Sequence, residues 1–425
     1  MIDGFLDRTV APPVRPFADI NLVPERVETL PNGLILHIVN TGSQPISRLV
    51  LVREGGSLDA ERPWQKRLMA EAMRENTVNM DGEHIADIVD YNGARLGSSV
   101  HDHFTRLDML VLNRRMPELL PLMRDIMLDA RFTERSLGVV AGKAAANRAI
   151  QLSKVSYVAA NAARRMVTGT SHPASVIATP EDFTSTTVAD VSVLYEEMLG
   201  MRMHAFIGGA FDEGTLKTVR DFLGAFSVAA SRSICVRPYE PSPQRRVHVD
   251  MPQAMQAAVS MMMPAIGRDH PDYIDLRLTI IALGGYFGSR LMSNIREDKG
   301  LTYGINAALL GSREGAYMEI GAQCDRNYVE QVIEETVKEI DLLRSDPPRA
   351  DELQRLKLYA WTSLAAAADS AFGTLDHYIT RLMVGTPHDY FARQMQCVAS
   401  LTPDRIAEIA GRYLDAGQLC VATAY

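Results

Sequence analysis

The sequence predicts an α+β protein of two similar domains, each an antiparallel-rich sheet covered by helices. Three observations carry this: a hairpin signal near the start, an order of elements that occurs twice, and a proline-rich break between the two runs. The hairpin is VETLPNGLILHIV from Val27 to Val39, in which two strand-like runs flank Asn32-Gly33. A second strand, RLVLVREGG, follows from Arg48. Helix-like stretches then run from Gln65 to Thr77 and from Gly82 to Asn92, the latter with Ile85, Ile88 and Val89 on one face and Gly93 as its stop. ARLGSSV and FTRLDMLVL read as strands. Met116 to Leu128 reads as a helix with Leu119, Leu120, Met123, Ile126 and Met127 in phase, and another helix runs from Thr133 towards Gln151.

The same grammar returns about 210 residues later. The helix-like DYIDLRLTIIAL precedes Gly284-Gly285, and the strands TYGINAALL and AYMEIGAQC flank a charged turn. A helix with Val329, Val332, Ile333, Thr336, Ile340 and Leu343 in phase follows, and the next helix begins near Ala350, beyond Pro347-Pro348. The stretch from Ala229 to Gln244, with Pro238, Pro241 and Pro243, is the natural break. The expected division is therefore 1–228, a linker over 229–246, and 247–425.

Composition agrees with a globular chain: 425 residues, 47% hydrophobic, 23% charged, with a formal net charge of −8. That acidity argues against nonspecific binding to nucleic acid or an anionic membrane, which needs a cationic surface, so neither is expected as a partner. Cys235, Cys324, Cys397 and Cys420 form no CxxC pair and read as free, largely buried thiols of a reducing compartment. The opening MIDGFLDRTVAPPVRPF places charges and prolines where a secretory signal needs an apolar run, and no apolar run approaches the ~20 residues that span a bilayer. A cytoplasmic location is expected.

The stretch HPDYIDLRLTIIALGGYFGSRLMSNIREDKGLTYGI resembles the second domain of M16-type peptidases, the inverted-zincin group that includes insulinase and mitochondrial processing peptidase. The first half is similar in layout: PNGLILHIV, REGGSLDAE, a helix where the metal motif would sit, and IADIVDYNGA. HPASVIATPEDFTSTTVADVSVLYEEML resembles the family's segment before the closing strand, so the resemblance runs from about Val27 to the C-terminus. It implies two LuxS/MPP-like α/β-roll domains.

A working member of that family carries HxxEH: two histidines on one helical face bind zinc, the glutamate beside the second activates water, and a distal glutamate completes the set. No HxxEH or HExxH occurs in this sequence. Counting back from Asn76-Thr77, the two histidine positions fall on Arg67 and Glu71, and the water-activating glutamate on Ala70. The distal glutamate falls on Lys143, and a slip of one residue, onto Lys66 and Ala70, is no better. Arginine and lysine are cationic at neutral pH and offer zinc no lone pair. The sequence thus implies no metal in this chain, and Arg67, Glu71 and Lys143 are expected to form a structural charge cluster. His101-Asp102-His103 is the other histidine cluster; two histidines without a third ligand read as a solvated turn or strand surface rather than a metal site. His172 and His270 precede prolines at turn signals, and there is no GxSxG, P-loop or cysteine nucleophile motif.

Arg296 and Tyr303 stand within IREDKGLTY. In the bacterial two-subunit members of the family, one subunit carries zinc and lacks this pair, and its zinc-free partner supplies it. The resemblance implies that this chain is of the second kind, with Arg296 and Tyr303 contacting unfolded peptides in trans, zinc in an HxxEH-bearing homologue, and no catalytic residue in this chain alone. Read from spacing only, Arg296 would pair with Glu297 or Asp298, and Tyr303 would pack in a strand. Gly284, Gly285, Gly288 and Gly300 are expected to shape the turns around them. GGYFGSRL lacks the long glycine-rich insertion of the mitochondrial α-type subunit, which favours a bacterial heterodimer over a presequence receptor. Two other functions stay open: a scaffold subunit without proteolytic role, as in respiratory complexes, and a metallopeptidase using His101 and His103.

Overall fold

Alternation decides which side of each strand meets the helices. In β5 (Phe104–Leu112), Leu107, Met109 and Val111 are buried on one side, while Arg106 and Asp108 between them face the other. A computed structural model describes residues 9–10, 20–227 and 236–425. β1 (Arg26–Thr29) and β2 (Ile35–Asn40) form the expected hairpin around Asn32-Gly33. With β3 (Ile46–Glu54), β4 (Arg95–Val100), β5 and β6 (Met203–Gly209) they make one sheet in the order β1-β2-β6-β3-β5-β4, antiparallel except between β2 and β6. The second sheet contains β7 (Arg246–Val249), β8 (Ala257–Ala265), β9 (Thr302–Gly311), β10 (Ala316–Cys324) and β11 (Cys420–Ala424). Its order is β7-β11-β8-β10-β9, antiparallel except between β7 and β11. The chain is therefore α+β, with two helix-covered sheets.

The helices of the first half are α1 (Pro63–Ala72), α2 (Gly82–Tyr91), α3 (Met116–Leu128), α4 (Glu134–Leu152), α5 (Val155–Thr168), α6 (Pro180–Thr184), α7 (Val188–Leu199) and α8 (Glu213–Gly224). Those of the second are α9 (Tyr273–Ile280), α10 (Val329–Ser345), α11 (Ala350–Ala368), α12 (Ala371–Val384), α13 (Tyr390–Ser400) and α14 (Pro403–Tyr413). α1 starts two residues before the expected Gln65, where Pro63 suits the first helical turn. It stops before the expected Thr77, because the chain turns there to pair Thr77 with Ala130, and the Thr77 hydroxyl accepts from the Asn79 and Met80 amides. β7 begins at the end of the expected linker, whose residues 229–235, Cys235 included, lie outside the described residues.

Division by sequence and division by packing differ in one respect. α5, a helix of the first half, lies on the second sheet: Val155 and Ala159 pack with Ala258 and Ala424, and Ala163, Met166 and Val167 with Met262, Cys420 and Ala422. α12, from the second half, lies on the first sheet, where Leu375, Tyr378 and Ile379 meet Val39, Val50, Val52, Phe104 and Phe206. Polar contacts follow the same route. Asp376 accepts from Arg48 at 2.8 Å and from Arg106 at 3.4 Å, Arg381 pairs with the buried Glu25, and the Tyr378 hydroxyl donates to the Val23 carbonyl at 2.9 Å. Each sheet is thus sandwiched between its own helices and one helix of the other half.

Leu375 is fully buried against the first sheet. Leu375→Ala is expected to lower stability by about 2–5 kcal/mol, the cost of a core truncation with partial collapse. Because of the exchanged helices, urea unfolding followed by fluorescence and by far-UV dichroism should give one shared transition at a lower midpoint. Two separated transitions, with only one displaced, would contradict the interlocked packing.

Candidate functional site

The positions that the family resemblance assigns to a metal do not converge. Arg67 and Glu71 are exposed on α1, Ala70 between them is buried, and Lys143 is exposed on α4. The expected charge cluster does not form: among the described residues no ion pair joins Arg67, Glu71 and Lys143. Arg67 instead lines a cavity whose wall also holds Asp102. Lys66, the neighbour, is buried 4.0 Å from Glu197, and burial holds its ammonium pKa below the ordinary value. Arg67, Ala70 and Lys143 offer zinc no lone pair, Glu71 has no second ligand beside it, and among the described residues no three His, Cys, Asp or Glu side chains cluster as a metal would require.

The His101-Asp102-His103 stretch is neither a strand face nor a wholly solvated turn. It links β4 to β5 and pairs its carbonyls with the amides of Gly55, Ser57 and Leu58, each at 2.8 Å. That approach requires Gly56, since a Cβ there would stand 2.2 Å from the His101 carbonyl oxygen. His103 is buried, correcting the solvated reading: Nδ1 lies 3.1 Å from Asp59 and Nε2 2.6 Å from Glu314, a carboxylate with a fully buried side chain in the β9–β10 turn. The latter contact is an ion pair whose angles fall short of a hydrogen bond. Burial opposes a charged His103, but Asp59 and Glu314 outweigh it and push its pKa up to about 9. Burial likewise opposes a charged Glu314, and His103 holds it below the ordinary value. The same turn sends Arg313 to the α12 carbonyls of Met383 and Leu382 at 3.0 and 2.8 Å.

This pair ties the two halves together, so its protons set stability. His103 is raised from 6.5, so its contribution is complete below about pH 6.5 and is lost as pH rises through about 9. The wild-type melting temperature should fall across that window, and the fall should disappear in His103→Gln. Breaking the pair should itself cost about 3–5 kcal/mol, because Glu314 stays buried without a partner. A wild-type melting temperature that is flat or rising from pH 6.5 to 9.5, or one that falls equally in His103→Gln, would contradict the assignment.

The second candidate pair lies at an edge of the second sheet. Arg296 occupies a π-helical turn, Met292–Asp298, which ends as the Leu301 amide donates to the Ile295 carbonyl at 3.0 Å. Another π-helical turn, Ile281–Gly285, packs so closely on β9 that a Cβ at Gly284 would meet Ala307 at 2.7 Å. Between Thr302 and Ile305 the register slips. Ala322 pairs with Ile305 but Cys324 with Thr302, so Tyr303 and Gly304 oppose Gln323 alone. Thr302 holds this bulge, its hydroxyl lying 2.6 Å from the Gln323 carbonyl and 2.9 Å from that of Gly304. The bulge turns Tyr303 outward, 90% exposed, between the buried Thr302 and Ile305. Arg296 lies over the exposed Phe287 ring at 4.8 Å, and among the described residues it pairs with neither Glu297 nor Asp298. Packing in a strand does not describe Tyr303.

Two of the cavities lined by both halves adjoin these positions. One, of about 730 Å³, is lined by Tyr303, Asn306 and Glu319 of the second sheet and by Lys154 and Tyr157 at the start of α5. The other, of about 370 Å³, shares Tyr157 and reaches Arg67 on α1. Its walls also hold Arg148, Arg164 and Arg268, which sequence reasoning missed because they stand alone on separate elements. Only Tyr157 and Arg164, seven apart on α5, carry a helical spacing that marks a shared face.

Residues 194–358 match the peptidase M16 inactive domain. This segment therefore resembles the non-catalytic domain of M16 peptidases. The fold of the whole chain agrees. A peptidase M16 inactive domain from Pseudomonas fluorescens superposes with a TM-score of 0.84 at 19% identity, covering 94% of this chain and 98% of that one. A protease from Helicobacter pylori gives 0.82 at 15%, covering 95% and 100%. The periplasmic protease PqqL from Escherichia coli gives 0.77 at 14%, covering 98% of this chain and 49% of its own. Among curated protein sequences nothing matches. Among the described residues no helix is long and apolar enough to cross a membrane.

Proposed function

We propose that this chain is the zinc-free subunit of a two-subunit M16 peptidase, working with an HxxEH-bearing homologue on unfolded peptides. The observation that carries the reading is the bulge at Tyr303-Gly304, which holds a phenol in solvent beside a cavity between the halves. A large side chain 90% exposed on a strand contributes little to its own domain, whereas a donor aimed outward suits a ligand. Arg296, stacked on Phe287 and clear of Glu297 and Asp298, keeps N–H groups for an acceptor. β9 is also an edge strand, so its outer backbone groups can pair with an extended peptide.

The roles follow from chemistry. Activation of water belongs to the zinc of the partner subunit. The Tyr303 hydroxyl and the Arg296 guanidinium donate to a peptide carbonyl, and more strongly to the oxyanion that forms on attack. Such donors orient the substrate from the side opposite the metal and hold no proton in transit themselves. Free cysteines at Cys324, Cys397 and Cys420 support placing the assembly in the cytoplasm, where thiols stay reduced.

Mixing the purified chain with its HxxEH homologue should produce peptide cleavage that neither gives alone. Tyr303→Phe or Arg296→Ala in the mixture should lower kcat about 10²–10³-fold, the cost of one oxyanion donor. The melting temperature of Tyr303→Phe should be unchanged, as the hydroxyl is free of the domain's own packing. Cleavage by the homologue alone equal to that of the mixture would refute the reading. So would full activity of a mixture carrying both substitutions, and isolation of this chain in a stable assembly lacking any HxxEH subunit would support a scaffold instead.

A further inference from the structure

The four arginines of the smaller cavity touch no carboxylate among the described residues, Arg67 acting on Asp102 and Arg164 on Glu319 only beyond ion-pair distance. Arg67 comes from α1, Arg148 from α4, Arg164 from α5 and Arg268 from the loop after β8. Among the described residues none of them makes an ion pair. Arg148 donates to the Tyr157 hydroxyl and lies over the Tyr157 and Phe183 rings at 5.5 Å. Arg164 donates to the Asn161 side-chain oxygen, and its Nε is buried with no hydrogen-bond partner. Arg268 reaches only the Gly311 carbonyl, at 3.3 Å, and lies over the Tyr273 ring at 5.6 Å. Asp102 is the one carboxylate on the wall, and burial, with Glu314 second, raises its pKa. Glu319, the acid nearest Arg164 in the adjoining cavity, is also raised by burial. In a chain whose net charge is −8, the cavity concentrates positive charge.

We propose that this cavity binds the carboxylate side chains of an acidic peptide segment. Guanidinium forks match carboxylates in a bidentate way, and neutral partners satisfy only part of each fork. Three of the four guanidiniums are half-buried in the cavity wall and none is in salt-bridge contact with a carboxylate, so the site favours a ligand that brings negative charge with it. The hydroxyls of Tyr157, Tyr239 and Tyr317 add donors, and Trp64, Leu309 and Leu310 provide apolar wall for the rest of a residue. The volume, about 370 Å³, falls in the range of pockets that enclose a small ligand group. Tyr157 joins this cavity to the one that Tyr303 lines, so a peptide at Tyr303 can send an acidic residue into it. The inference rests on the peptide-binding reading and adds its substrate class. Arg67, at a position of the lost metal, supplies cationic charge there in place of zinc.

The test titrates the full chain, by fluorescence anisotropy, with a labelled aspartate-rich peptide and with the same peptide carrying asparagine. The acidic peptide should bind at least about tenfold tighter, and the difference should shrink as salt is added. Arg67→Gln, on the exposed face of α1, and Arg148→Gln should each reduce that preference about tenfold while leaving the asparagine peptide's affinity in place. Equal affinity for the two peptides, or an acid preference untouched by both variants, would overturn the proposal. Displacement of the acidic peptide by free citrate at concentrations below the peptide's own Kd would overturn the peptide assignment in favour of a small polycarboxylate. Cleavage of the asparagine peptide by the mixture with the HxxEH homologue is a separate readout: its absence refutes the two-subunit reading, and loss of acid preference alone refutes only the cavity's role.

Discussion

The exchange of α5 and α12 between the halves is the constraint on which the rest of the molecule depends. Each sheet has an apolar back, Val50, Val52 and Phe206 on one and Ala258, Met262 and Ala422 on the other, that its own helices do not cover. Covering both with a helix from the opposite half removes apolar surface from water twice and fixes the halves face to face. It also decides what meets in the middle. α5 carries Tyr157 and Arg164 to the second sheet, and the β9–β10 turn carries Arg313 to the end of α12 and Glu314 to His103. The cavities exist because these elements bridge the halves at their rims rather than filling the space between them.

The cleft that results has been refitted rather than emptied. At the position where the family resemblance would place a zinc ligand stands Arg67, and with it Arg148, Arg164 and Arg268 line one cavity. A guanidinium cannot activate water, so hydrolytic chemistry is out of its reach, but it binds anions well and over a wide pH range. In the adjoining cavity, the bulge at Tyr303-Gly304 holds a phenol where a peptide backbone can reach it, and Arg296 stands in the π-helical turn that precedes that strand. On the proposed reading both ends serve recognition, as in a subunit that completes the active cavity of another.

Much of the fold was legible because its signals are local. Asn32-Gly33 fixed the first hairpin, Thr133 caps α4, and the phased apolar residues of α3 and α10 gave their extents. β6, β8 and β11 left no comparable mark: they lie at the centre of their sheets, buried on both faces, so their sequences lack alternation. The candidate site was legible in the same uneven way. Arg296 and Tyr303 stand in one contiguous stretch, and the failed metal motif could be counted residue by residue. The outward turn of Tyr303 could not be read, since it comes from a register slip against β10. Nor could the arginine cavity, whose members are gathered by long-range packing, or the burial of His103, whose partner Glu314 lies in the other half.

The central claim is that this chain recognises substrate while its partner holds the metal. Native mass spectrometry of the chain, of an HxxEH homologue and of their mixture, each dialysed against zinc, tests it most directly. No zinc is expected on this chain alone, one is expected on the homologue, and a one-to-one complex should still hold a single ion. A stoichiometric zinc on the isolated chain, or two in the complex, would contradict it.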